Sequence, residues 1–130
     1  MKPKSYRDLA VWQVAMDLVV MVYSASSTFP KSELFGLTQQ LRRAAVSVPS
    51  NIAEGAERRG TKEFLQFVGI ALGSLAEVCT LIQIAARLDY LAAENQSGVL
   101  EEIIRIESML HSLRRALESK LQAPKPPNPT

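Results

Sequence analysis

One cysteine, one histidine and a 6% share of aromatics leave this chain little reactive chemistry to work with. The lone cysteine, Cys79, excludes a disulfide framework within the chain, and its apolar surroundings read as those of a small buried hydrophobe. The lone histidine, His111, excludes the paired Glu-x-x-His motifs with which four-helix bundles hold two irons. Glu107, the nearest upstream carboxylate, has the wrong spacing, and His111 reads as a surface residue on a helix flank. No Cys/His cluster and no glycine-rich phosphate loop occurs. No catalytic centre, metal or cofactor is therefore expected. Strand-like alternation of apolar and polar residues is absent as well. Charge is also scarce: the net charge is +2 and the pI about 8.8. That permits a nucleic-acid partner without arguing for one, because domains with a full electrostatic footprint are more basic. The N-terminal residues Met1 to Tyr6 contain no apolar signal region, so the cytoplasm is the expected compartment.

What the chain does have is helical spacing. At 130 residues, 47% hydrophobic and 22% charged, it is long and apolar enough for one globular domain. The periodicity predicts helices near 8–26, 37–57, 61–88 and 93–121, with Asp8 and Thr61 as N-caps of the first and third. Connections this short make successive helices antiparallel neighbours. The expected fold is all-α, an antiparallel up-down four-helix bundle over 1–122. Residues 123–130, rich in proline, are expected to form a disordered or extended tail.

The helices differ in how much of their circumference is apolar. The fourth is amphipathic, with a stripe of Val99, Ile103, Ile106, Leu110, Leu113, Leu117 and Leu121. The second turns Leu37, Leu41, Ala44, Ala45, Val48 and Ile52 inward. The first has two apolar rows. Leu9, Trp12, Met16, Val19, Val20 and Tyr23 are read as its core face, and Val11, Leu18, Val22 and Ala25 as a second row beyond it. The third carries a single charge, Glu77, between Phe64 and Ala86. A helix apolar nearly all round is buried on several sides. A membrane span would suit its length, but Gln66, Glu77 and Gln83 interrupt it and no second span accompanies it. The favoured reading has other subunits covering the surplus, with Leu18 and Val22 at the contact and the Gly69-x-x-x-Gly73 pattern allowing close helix approach.

The second helix holds the unusual chemistry: an arginine pair, Arg42-Arg43, and an internal proline, Pro49. Proline inside a helix costs about 3 kcal/mol or more. Pro49 either bends the helix for packing, the favoured reading, or positions Asn51 and Glu54 at a cleft. Arg43 projects away from the core with Gln39, Ser47, Ser50 and Glu54. It can contact phosphate, to which the planar guanidinium donates two hydrogen bonds, with Arg58, Arg59 and Lys62 extending the patch. Alternatively, Arg42 and Arg43 bridge to Asp17, Glu54 or Glu77, within or between subunits. Glu54 and Arg58 are also spaced as an ordinary helix pair.

Several stretches resemble a known family. Asp8-Leu9-Ala10-Val11-Trp12-Gln13-Val14-Ala15-Met16-Asp17-Leu18 is similar to the opening signature of the bacterial 23S rRNA intervening-sequence proteins. Phe29-Pro30, and the run Phe35-Gly36-Leu37-Thr38-Gln39-Gln40-Leu41-Arg42-Arg43-Ala44-Ala45-Val46-Ser47-Val48-Pro49-Ser50-Asn51-Ile52-Ala53-Glu54-Gly55, resemble the central signature. Phe64-Leu65-Gln66-Phe67 and Gly73-Ser74-Leu75-Ala76-Glu77 resemble its third helix. Asp89 stands where the family usually has glycine before Tyr90-Leu91. The resemblance implies a left-handed bundle in a ring-like homopentamer without enzymatic activity. Some members are encoded inside insertions in 23S rRNA genes, so RNA is the suspected ligand. The family also resembles the accessory variability determinant of diversity-generating retroelements, a pentamer that binds nucleic acid and a reverse transcriptase. The expected function is an oligomeric nucleic-acid accessory or scaffold protein, RNA before DNA. The alternative is a protein-interaction scaffold that binds no nucleic acid.

Overall fold

Helical periodicity becomes four long helices in the computed structural model, which describes residues 5–122. They are α1 (Ala10–Ser26), α2 (Leu37–Glu57), α3 (Thr61–Arg87) and α4 (Ala93–Gln122). No strand occurs among the described residues. The expected tail, 123–130, lies outside them. Two expected caps move by one residue. Asp8 ends a 3-10 turn, Tyr6–Asp8, in which the Ser5 hydroxyl accepts from the Arg7 N–H at 3.1 Å. Leu9 thus takes the N-cap position of α1. At α3 the cap is Gly60, and Thr61 is the first helical residue.

The corner between α3 and α4 shows how Asp89 replaces glycine. Its φ is 62°, the left-handed conformation that ends helices. The Tyr90 N–H donates to the Ala85 carbonyl at 2.9 Å and the Asp89 N–H to the Ala86 carbonyl at 3.1 Å, closing the helix end. The Tyr90 ring then lies 5.8 Å from that of Phe29, and its hydroxyl donates to Glu33 Oε2 at 3.1 Å. This ties the α3–α4 corner to the α1–α2 connection. That hydrogen bond, with partial burial and the negative charge of Glu33, raises the Tyr90 pKa above its ordinary value.

Each helix packs against two others, in the cyclic order α1, α2, α3, α4. The inward faces of α2 and α4 are the expected ones, except that Leu121 is exposed. The rows of α1 are reversed. Val11, Val14, Ala15, Leu18, Val22 and Ala25 are buried, while Met16, Val20 and Tyr23 are exposed. Leu18 and Val22, expected at a subunit contact, are 0% exposed inside their own bundle. Size fits the reversal: the buried row includes the small Ala15 and Ala25, while bulky Met16 and Tyr23 are exposed and Trp12 packs half-buried against the core.

Close approach between α2 and α3 depends on Gly55, not on the glycine pair of α3. A Cβ at Gly55 would lie 2.7 Å from Phe67 Cβ and 3.0 Å from Phe64 Cδ1. Gly69 and Gly73 have nothing within 4 Å of that position and face outward. α3 is long and apolar enough to cross a membrane by length and composition, yet only 33% of its most apolar window is buried in the subunit. Ile70, Ile84 and the two glycines make up part of its uncovered side.

Candidate functional site

The α2–α3 junction brings together Arg58, Arg59 and Lys62, with Glu54, Glu57 and Glu63 interspersed among them. Arg58 ends α2 in extended conformation, and Arg59 and Gly60 carry the chain to Thr61. With Leu9 from the chain's entry and Leu113, Leu117 and Lys120 from α4, these residues line an open cleft of about 330 Å³. Its floor is apolar and its rim holds Arg58, Arg59 and Lys120. Lys62 is exposed one residue beyond Thr61. Arg58 is already engaged. It meets Glu54 at 2.9 Å and Glu63 at 4.0 Å, and its guanidinium lies 5.1 Å from the Phe67 ring centre. Arg59, Lys62 and Lys120 are therefore the cations with capacity for an anion. Sequence spacing found the first two. It missed Lys120 because α4 reaches this end only through the antiparallel fold.

Arg43 does not join this cluster. It stands fifteen residues before Arg58 on the same helix, which is about 22 Å of helical rise. Arg43 instead lines a cleft of about 480 Å³ with Tyr23, Leu34, Phe35, Gln39 and Val46. Its neighbour Arg42 closes α1. Nε donates to Ser26 Oγ at 2.9 Å, Nη2 to the Tyr23 carbonyl at 3.4 Å, and the guanidinium lies 4.6 Å from the Tyr23 ring centre. A cation at a helix C-terminus satisfies orphan carbonyls and complements the dipole. The acidic partners expected for Arg42, namely Asp17, Glu54 and Glu77, are replaced by a serine, a carbonyl and a ring.

Val46 also lines a second cleft, of about 370 Å³, with Trp12, Met16, Val19, Pro49 and Ala53. The two clefts therefore form one apolar seam along the outside of α1 and α2. Leu34 and Phe35 project at its end, 50% and 86% exposed. Sequence reading passed over them as part of a turn. Pro49 is buried along this seam. On the other flank of α2, Asn51 Nδ2 donates to the Ser47 carbonyl at 2.8 Å and to Ser47 Oγ at 2.9 Å. Ser47 Oγ in turn shares a hydrogen bond with Ser74 Oγ of α3 at 2.8 Å. Asn51 thus serves the helix pair next to the proline, not an open cleft.

The remaining singular residues are modest. Cys79 is half-buried and accepts from Gln83 Nε2 at 3.3 Å. His111 is half-buried too, with Nδ1 3.1 Å from Arg114 Nη2. No group of three or more His, Cys, Asp or Glu side chains that could hold a metal occurs among the described residues.

An up-down arrangement of four helices in cyclic contact places the chain in the class of all-α four-helix bundles. More particularly, the chain belongs to the 23S rRNA-intervening sequence protein family, whose model matches residues 7–112. The assignment brings no catalytic activity with it. A crystal structure of a protein of unknown function from the S23 ribosomal protein family of Bacteroides thetaiotaomicron has the same fold. Its TM-score is 0.73 at 19% identity, covering 81% of this chain and 98% of that one. No curated protein matches the chain.

Proposed function

We propose that this protein is a non-enzymatic, homo-oligomeric scaffold of the cytoplasm that holds RNA through the basic end of each bundle. The observation that carries the reading is the convergence of Arg59, Lys120 and the already paired Arg58 around one cleft, with Lys62 beside it. The cleft is lined by no acidic residue, and its apolar floor, which includes Phe64, suits an unstacked base. One such patch is weak. Repeated around an oligomer, it gains avidity without new contacts. Surplus apolar surface on α1, α2 and α3 is the physical motive for assembly, and the number five comes from the family resemblance. In this reading the apolar side of α3 is covered by other copies and not by lipid.

Gel-shift titration at low salt tests the RNA reading, with single-stranded RNA, structured RNA and duplex DNA. Replacing Arg59, Lys62 and Lys120 together by Ala abolishes the shift while sizing and helicity stay unchanged. Absence of binding to all three probes by the unaltered protein overturns the reading. It would promote a protein-interaction scaffold, which the exposed Leu34–Phe35 pair favours. A reverse transcriptase is the protein partner suggested by the likeness to retroelement determinants.

A further inference from the structure

We infer that the ligand of the basic end is an unpaired RNA strand, which leaves the basic cleft past the Tyr6–Asp8 turn and stacks a second base on the Tyr6–Trp12 pair. The inference rests on the RNA reading above. It adds the strandedness of the ligand and a second contact surface. Three observations carry it.

The first is continuity. Leu9 and Ala56 line the basic cleft, and Trp12 and Ala53 line the cleft beside it. On both walls the step from one cleft to the next is three residues, which is about 4.5 Å of helical rise. The Tyr6–Asp8 turn, directly before Leu9, packs against α1 and α2 and borders this step. A strand leaving the basic cleft on this side therefore meets Tyr6 and Trp12 next. Its course ends there, short of Met16 and Val46 farther along the seam.

The second is the aromatic pair itself. The two rings meet edge to face, with centroids 5.3 Å apart and planes at 64°. The Arg7 guanidinium lies 4.7 Å from the Tyr6 ring centre. The turn that carries them is pinned. The Arg7 N–H donates to Ser5 Oγ at 3.1 Å, and Gln13 Nε2 donates to the Arg7 carbonyl at 2.9 Å. Tyr6 and Trp12 are half-buried and Arg7 is exposed, so the group is held from below and open from outside. Aromatic rings and guanidinium planes are the surfaces on which unpaired bases stack, with little regard to sequence. A platform already fixed gives up little freedom on binding.

The third is charge combined with shape. Neither cleft is lined by a carboxylate. Glu54 and Glu63, close by, are engaged by Arg58. Arg59 and Lys120 stand on the rim, Lys62 beside them and Arg7 at the turn. Phosphates can follow these cations while bases turn inward, one to Phe64, Leu113 and Leu117, the next to Tyr6 and Trp12. A duplex cannot use such floors, because its bases are paired and stacked inside the helix. An unpaired strand can splay its bases out onto them.

Trp12 is the only tryptophan of the chain, so its emission reports on the second base directly. The probe is a non-self-complementary RNA of about ten nucleotides, a length within the range that single-strand grooves hold. The same strand annealed to its complement is the comparison. The single strand should quench Trp12 and bind more tightly than the duplex at equal salt. Tyr6→Leu keeps an apolar side chain and removes the ring. It should weaken single-strand binding about 5- to 150-fold, the loss of one base stack. The slope of log affinity against log salt should not change, since no phosphate contact is lost. Tyr6→Phe keeps the ring and should bind as the unaltered protein does. Thermal melts of both variants confirm an intact bundle, because Tyr6 lies outside the four helices. If neither strand nor duplex binds the unaltered protein, the RNA reading falls and this inference with it. If RNA binds without preference for the single strand, or leaves Trp12 emission unchanged, or binds Tyr6→Leu undiminished, the inference alone is overturned.

Discussion

At the scale of single residues, the adjacent arginines show how position on a helix decides what identical chemistry does. Arg42 lies toward α1 and is held by Ser26, the Tyr23 carbonyl and the Tyr23 ring. Arg43, one residue on, faces outward, exposed. Arg42→Ala removes a helix-end cation and leaves the buried Ser26 hydroxyl with one fewer partner, so stability should fall by about 1 kcal/mol. Arg43→Ala should change subunit stability by less than about 0.5 kcal/mol. Urea denaturation of both variants checks the contrast, and equal losses would contradict the assigned roles. Leu18 and Val22 follow the same logic with the opposite outcome. Both are sealed inside the bundle, so a charge there disrupts folding before it can report on assembly.

At the scale of helices, extent and type were legible from the sequence and orientation was not always so. Single-faced helices such as α4 announce their inner side through spacing alone. α1 has apolar residues on both rows, so periodicity gives two equally good answers, and the small Ala15 and Ala25 decide between them only once the facing helix is known. Glycine is similarly ambiguous. The Gly69-x-x-x-Gly73 pattern reads as a close-contact motif, yet within the subunit the close contact is made at Gly55. Gly55→Ala brings a methyl to 2.7 Å from Phe67 Cβ. Overpacking of this kind costs about 1–3 kcal/mol, outweighing a helix-propensity gain of about 1 kcal/mol. Gly73→Ala meets open space within its subunit and should show the propensity gain alone, most cleanly when the bundle is dissociated. Thermal melts of the two variants should therefore shift in opposite directions. The α3–α4 corner adds a pH signature. Because the folded pKa of Tyr90 is raised, its contribution to stability is complete below about pH 10 and is lost as pH rises through the raised value. Denaturation midpoints should decline over that alkaline range, and Tyr90→Phe should flatten this part of the decline.

At the scale of the whole molecule, the candidate sites lie apart along one helix. Arg43 and the basic end read as a single patch by residue type, although fifteen residues of one expected helix already set them apart. Some 22 Å of helix part them, so the surface proposed for assembly and the end proposed for RNA do not overlap. Lys120 could be seen at that end only after α4 had been placed. The separation makes assembly and binding independently adjustable, and it fixes how they should combine. On single strands each neutralised phosphate contributes about −0.7 to the slope of log affinity against log salt. If each of about five subunits engages one phosphate, the intact assembly has a slope of about −3.5, and a dissociated bundle about −0.7. Affinity at low salt should fall as well, by the factor of about 10² to 10⁴ that linked sites supply. Ile70→Asp puts a charge on the uncovered side of α3 and is expected to supply the dissociated form without touching Arg59, Lys62 or Lys120. Salt titrations of both proteins on the same single-stranded RNA therefore read multivalency directly. A dissociated variant that kept the slope and affinity of the intact protein would show that one bundle end holds the RNA alone, and that the assembly serves another purpose.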